Sequence, residues 1–139
     1  MSREARSCDS NAMTTATAPL KVFLAEDSAM IRSRLAEMMA AHDVAVVGEA
    51  ETAEGSIEGI LAARPDVVVL DVQLLGGTGL QVLRAVRAAD PAIAFVVFSN
   101  NADPAYRNRY LGEGADRFLD KTTEFDQLVN AVHASHAMH

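Results

Sequence analysis

Between residues 21 and 134, five short apolar runs alternate with five longer amphipathic segments. This pattern leaves few folds open. Short runs rich in Val, Ile, Leu and Phe read as strands buried on both faces, the segments between them as crossover helices, and the repeated strand-helix unit as a parallel sheet. Strands are predicted over 21–25, 44–48, 67–70, 93–99 and 117–119, and helices over 29–41, 53–63, 79–89, 104–111 and 124–134. The punctuation agrees: Arg64-Pro65, Asp90-Pro91 and Asp103-Pro104 fall at element boundaries, and Gly112 and Gly114 stop the fourth helix. In the first helix Met30, Ile31, Leu35, Met38 and Met39 form one apolar face, with the methionines as core filler.

The chain's 139 residues suffice for one domain with a real core and are too few for two ordinary ones. Residues 1–19, MSREARSCDSNAMTTATAP, are small, polar and aperiodic, and are expected to form a disordered leader to a domain at 20–139. Within them Ser10-Asn11-Ala12 resembles a cloning remnant, which makes Met13 a candidate natural start. A net charge of −7 argues against an electrostatic hold on nucleic acid or an anionic membrane, and suits protein partners and metal cations better. No apolar run approaches the roughly 20 residues that a membrane helix needs. The single cysteine, Cys8, forms no internal disulfide, and the opening MSREA lacks a signal-peptide core, so a cytoplasmic location is expected.

Parallel strands deliver their C-terminal ends to one edge of the sheet, where open α/β sheets carry their sites. Strand one runs out into Glu26-Asp27-Ser28, strand three into Asp71, strand four into Ser99-Asn100 and strand five into Asp120-Lys121. Three carboxylates that converge from two strands repel one another unless a cation joins them, and an all-oxygen donor set suits Mg²⁺. Lys121 has two compatible readings: a counter-ion for the carboxylates, or, with the metal, a holder of phosphoryl oxygens on Asp71. A carboxylate neutralised in this way is a nucleophile toward phosphorus, and Ser99 would hydrogen-bond a third oxygen of the transferred group.

The acidic pair Glu26-Asp27, the strand-end Asp71 with GLQVL opening the next helix at Gly79, the hydroxyl Ser99 and GADRFLDK ending in Lys121 stand in one order. In this the chain from residue 21 to about 134 resembles a response-regulator receiver domain of the CheY-like superfamily. The resemblance implies a doubly wound α/β fold of flavodoxin-like type, with five parallel strands in the order 2-1-3-4-5 and five helices. It implies that Asp71 is the phosphoacceptor, that Asp27 and Asp71 bind Mg²⁺ directly, that Glu26 acts through metal-bound water and that Gln73 lends its backbone carbonyl. Ser99 and Lys121 would hold the phosphoryl oxygens, and Phe118 would be the switch aromatic. The donor would be a phosphohistidine on a sensor histidine kinase or a histidine phosphotransfer protein.

Physics supplies the switch without the name. Phosphorylation adds about −1.5 to −2 charges at Asp71. That charge draws Ser99 and Lys121 inward and opens space for Phe118, which biases the surface formed by helix four, strand five and helix five. Tyr106, Arg107, Arg109, Tyr110 and Arg117 give that surface aromatic and basic character suited to a downstream protein. Few residues follow helix five, so a stand-alone receiver is expected, working by partner contact or onward phosphotransfer. Its only chemistry would be phosphotransfer to and autodephosphorylation of Asp71.

Several positions depart from the family pattern. Leu75 replaces the usual proline four residues after the phosphoacceptor and precedes Gly76-Gly77, so a mobile loop is expected. Thr122 replaces a proline that follows a cis bond. A cis bond before a non-proline residue costs ~2.5–4 kcal/mol, so either a trans Lys121-Thr122 bond with a rearranged loop or a strained exception is expected. Asn100 stands where a small residue is common and is expected to narrow access, while Gln73 and Asn101 occupy positions that tune phosphate lifetime. His133, His136 and His139 read as an exposed tail and His42 as the cap of helix one. Two other functions compete: a Mg²⁺-dependent phosphatase with an aspartyl nucleophile, and a degenerate receiver that binds partners without phosphorylation. The phosphatase is disfavoured because such enzymes want Asp-x-Asp after strand one. A nucleotide or flavin domain is disfavoured by the acidic turn at 25–28, where glycines and backbone amides would be needed.

Overall fold

The computed structural model describes residues 19–100 and 103–137. The expectations for residues 1–18, Cys8, Asn101 and His139 lie outside the described residues. The elements run β1 Leu20–Ala25, α1 Ala29–Ala41, β2 Val44–Ala50, α2 Ala53–Ala63, β3 Val67–Leu70, β4 Gln73–Leu74, β5 Gly77–Thr78, α3 Gly79–Ala89, β6 Ala94–Ser99, α4 Pro104–Gly112, β7 Arg117–Asp120, a 3-10 turn Phe125–Gln127, and α5 Leu128–Ala137. β1, β2, β3, β6 and β7 form a parallel sheet in the order β2-β1-β3-β6-β7. This is the expected 2-1-3-4-5 arrangement once the two-residue antiparallel pair β4–β5 is set aside.

All four residues of β3 are buried because helices cover both faces of the sheet. Val68, Leu70, Phe95 and Val97 pack with Ile60, Val82, Val86 and Tyr110 on one side. On the other, Val67, Val69, Val96 and Phe98 pack with Leu35, Met39, Leu128 and Val132. Ser28, Thr52, Thr78 and Asp103 cap α1 to α4, each side chain accepting a first-turn N–H. No helix among the described residues is long and apolar enough to cross a membrane.

Two expectations need correction. Met30 is 74% exposed and does not share the apolar face of α1, because at about 100° per residue it falls off the stripe formed by Ile31, Leu35, Met38 and Met39, which packs on the sheet. The α-helix α5 begins at Leu128, not at 124: Phe125 turns in to meet Phe98 edge-on at 5.4 Å, with the Arg34 guanidinium 4.7 Å from its ring, and the backbone winds as a 3-10 turn around that anchor. His42 closes α1 as expected, its backbone N–H donating to the Met39 carbonyl at 3.0 Å while the next N–H, of Asp43, donates to that of Ala40 at 3.3 Å.

Candidate functional site

The ladder itself sets the site. The Glu26 N–H donates to the Ala50 carbonyl at 3.0 Å, the Asp71 N–H to Ala25 at 2.9 Å and the Lys121 N–H to Ser99 at 2.9 Å, so each functional residue is fixed by the last backbone bonds of its strand. Glu26, Asp27, Asp71, Gln73, Ser99 and Lys121 all line one open pocket of about 290 Å³, joined at its rim by Asn100 and Tyr106. Glu26, Asp71 and Ser99 are buried, and Asp27 is exposed. Gly79 lets α3 start directly against the Asp71 backbone, since a Cβ there would lie 2.2 Å from the Asp71 carbonyl oxygen.

One ammonium serves this acidic cluster. Lys121 Nζ lies 2.6 Å from Glu26 Oε1 and 3.1 Å from Asp71 Oδ2. Glu26 Oε2 accepts the Ser28 N–H at 3.0 Å, and the Gln73 N–H points to Asp71 Oδ1 at 3.5 Å. Burial pushes the Glu26 carboxyl up to about 7, with the Asp71 charge adding to the rise; the hydrogen bonds from Lys121 and Ser28 offset only part of it. For Lys121, burial acts downward, but the hydrogen bond to Glu26 and the charges of Asp71 and Glu26 outweigh it and hold the amine above its ordinary range.

Glu26, Asp27 and Asp71 each offer a carboxylate oxygen, and these oxygens lie within 4.8 Å of one another; among the described residues no other cluster of three or more potential metal ligands occurs. An all-carboxylate set left with excess negative charge after Lys121 fits a hard divalent cation such as Mg²⁺. Gln73 lines the same pocket through the loop that follows Asp71.

Phe118, the expected switch aromatic, stands outside the pocket. It is buried, with its ring edge-on to Tyr110 at 6.0 Å and the Arg107 guanidinium 5.4 Å from its centroid. His133 and His136 sit at the opposite edge of the sheet, in a groove shared with Lys21 and His42. The Lys121-Thr122 bond is trans, and the loop after it is an Asp turn in which Asp120 Oδ1 accepts from the Thr122 N–H at 2.8 Å and from its hydroxyl at 2.6 Å. In the loop that follows Asp71, Leu75 donates its N–H to Glu51 and accepts from Ala53, with Gly76 in open space beside it.

Two residues were missed or misplaced by the sequence reading. Arg32, a cation one turn into α1, donates to the Glu26 carbonyl at 2.5 Å and lies 3.5 Å from Glu49 and 3.8 Å from Glu51, which ties the ends of β1 and β2 together. Its signal was a charge beside Ile31 on an otherwise apolar face. Tyr110 was placed on the outer surface and is instead 2% exposed, within the core. Of its expected companions, Arg109 and Arg117 are exposed, and Tyr106 faces the pocket rim at 41% exposure.

A family model for the response regulator receiver domain matches residues 22–133. The chain belongs to the response-regulator receiver family. This receiver is 32% identical over 120 residues to the nitrate/nitrite response regulator protein NarL of Escherichia coli K12, covering 86% of this chain and 56% of that protein. It is 33% identical over 115 residues to the DNA-binding transcriptional activator DevR/DosR of Mycobacterium tuberculosis, covering 81% and 52%. The chain thus spans about half the length of the curated relatives it matches. Among solved structures, the signal receiver domain of the putative response regulator NarL from Mycobacterium tuberculosis superposes with a TM-score of 0.81 at 30% identity, covering 87% of this chain and 98% of that one. A two-component response regulator of the LuxR family from Aurantimonas superposes with a TM-score of 0.83 at 25% identity, covering 87% of each. Receiver domains work in two-component systems with histidine kinases or phosphotransfer proteins, and the receiver here has the CheY-like fold that its sequence implied.

Proposed function

We propose that this receiver accepts a phosphoryl group on Asp71 from a phosphohistidine of a sensor histidine kinase or a histidine phosphotransfer protein. The observation that carries this is Lys121 Nζ standing between Glu26 and Asp71 in a pocket that Ser99 also lines. An Asp71 carboxylate oxygen attacks phosphorus while the bond from phosphorus to the donor imidazole nitrogen breaks, and the electron pair leaves with the imidazole. Glu26, Asp27 and Asp71 would hold Mg²⁺, which when bound supplies positive charge to the transferring group. Lys121 holds one phosphoryl oxygen and Ser99 another, so the new charge sits among donors already placed by the sheet.

The added charge draws Lys121 and Ser99 toward Asp71, and Phe118 follows into the space released. Output passes through the α4–β7–α5 face to a downstream protein, with no substrate turnover beyond phosphotransfer and loss of phosphate from Asp71. The names of NarL and DevR/DosR connect such receivers to regulation and DNA binding in proteins about twice as long; here a net charge of −7 supports a protein partner for this domain in a cytoplasmic setting.

Incubation with Mg²⁺ and acetyl phosphate, read by intact mass, tests the proposal. Wild type is expected to gain one labile phosphate and Asp71→Asn none. Equal labelling of the variant, or none in wild type, rejects Asp71 as phosphoacceptor; the second outcome with retained partner binding would mark a degenerate receiver. Steady turnover of varied phosphate esters would mark a phosphatase.

A further inference from the structure

Tyr110 touches three parts of the molecule: the stem that follows Asp71, the start of α3 and the switch aromatic Phe118. Its hydroxyl accepts the Leu80 N–H at 3.0 Å and donates to the Val72 carbonyl at 3.4 Å. These two residues bracket the β4–β5 hairpin: Val72 follows Asp71, and Leu80 is the second residue of α3. The first amides of a helix have no intrahelical acceptor. In α3, Gly79 gives its N–H to the Val72 carbonyl at 2.7 Å and Gln81 gives its N–H to the Thr78 hydroxyl at 3.3 Å, so the amide between them is satisfied from a different helix, by Tyr110. The same ring meets Phe118 edge-on at 6.0 Å. Burial raises the phenol above its usual pKa, so it stays protonated and able to donate to Val72.

We propose that Tyr110 is a positioning residue that couples the phosphoacceptor loop to α4 and Phe118, its hydroxyl clamping both stems of the β4–β5 hairpin while its ring backs the switch aromatic. The proposal rests on the receiver reading above. When Phe118 shifts toward Ser99, the ring of Tyr110 loses its edge contact, and any rotation of that ring disturbs the Val72 and Leu80 bonds. Coupling of this kind is reciprocal: a partner that repositions α4 changes how firmly Val72 and Gln73 are set beside Asp71, and thereby the lifetime of the phosphate.

The test is amide NMR on the folded chain, with and without Mg²⁺ and beryllofluoride as a phosphoryl stand-in, comparing wild type with Tyr110→Phe, which keeps the ring and deletes the hydroxyl. In wild type, the amides of Gln73 and Leu80 and those of Arg107, Arg109 and Leu111 are expected to shift together. In the variant, without beryllofluoride, Leu80 amide exchange is expected to rise about five-fold while Gln81, capped by Thr78, keeps its rate. With beryllofluoride, the active-site amides should still respond while the α4 amides reach at most about half the wild-type shift. An α4 response equal to wild type, or an unchanged Leu80 exchange rate, overturns the coupling. Loss of the folded spectrum in Tyr110→Phe also overturns it, by assigning the hydroxyl to stability alone. A wild type in which Gln73 and Leu80 themselves ignore beryllofluoride rejects the receiver reading and the coupling with it, an outcome separate from a difference confined to the variant.

Discussion

At the residue scale, Lys121 pairs with Glu26 and Asp71, and burial presses hardest on Glu26, the most buried of the three clustered carboxylates at 3% exposure. Its carboxyl rises from 4.5 to about 7 on folding, so the folded state favours the protonated form. The stability this contributes is fully present below pH 4.5 and is lost as pH rises through 7. Lys121 shifts upward from 10.5, so its contribution is lost only in strongly alkaline solution and does not enter this window. Chemical denaturation in EDTA should therefore give a lower unfolding free energy at pH 8 than at pH 5, by up to about 3 kcal/mol, with Mg²⁺ restoring part of it at pH 8. Glu26→Gln should flatten that dependence; an unchanged slope in the variant would place its source elsewhere.

At the element scale, the loop after Asp71 shows what two glycines do for different reasons. Leu75 donates its N–H to Glu51 at 2.9 Å and accepts from Ala53 at 3.1 Å, which pins the hairpin to the start of α2 in place of the family's proline. Gly76 has φ +72 and open space around it, so Gly76→Ala meets only the backbone cost of a left-handed residue, about 1 kcal/mol. Gly79→Ala places a methyl 2.2 Å from the Asp71 carbonyl oxygen, which only backbone movement relieves. It should cost about 2–4 kcal/mol in denaturation and slow phosphate gain by Asp71 in the mass assay, whereas Gly76→Ala leaves the rate near wild type. The Asp71 strand end and the Gly79 helix start were legible, because strand runs and helix caps are local signals. The pinning of Leu75 was not, since Glu51 lies far away in the chain and uses only its backbone. Met30 and Tyr110 failed for different reasons: Met30 lies one residue outside the stripe that starts at Ile31, and PAYRNRYLG is too polar to show which side of α4 faces the sheet.

At the scale of the molecule, the parallel sheet separates chemistry from stability. Its C-terminal edge gathers like charges. At its other edge, Arg87 from the end of α3 donates to the carbonyls of Pro91, Ile93 and Gly114 and pairs with Asp116 at 3.3 Å, while Asp116 accepts the Phe95 N–H at 2.8 Å. The guanidinium also lies 5.2 Å from the centroid of the Phe95 ring. This one side chain joins α3 to the starting ends of β6 and β7, with both ionised groups mostly out of water. Arg87→Met keeps an unbranched stem over Phe95 and removes the buried ion pair with Asp116 together with the three carbonyl bonds, which should lower the unfolding free energy by about 3–5 kcal/mol. Because the knot lies at the far edge from Asp71, the variant should take up phosphate from acetyl phosphate at the wild-type rate at any temperature where circular dichroism shows it folded. A large loss of labelling in the folded variant would mean that the two edges are coupled through β6, whose starting end Arg87 holds and whose final residue is Ser99.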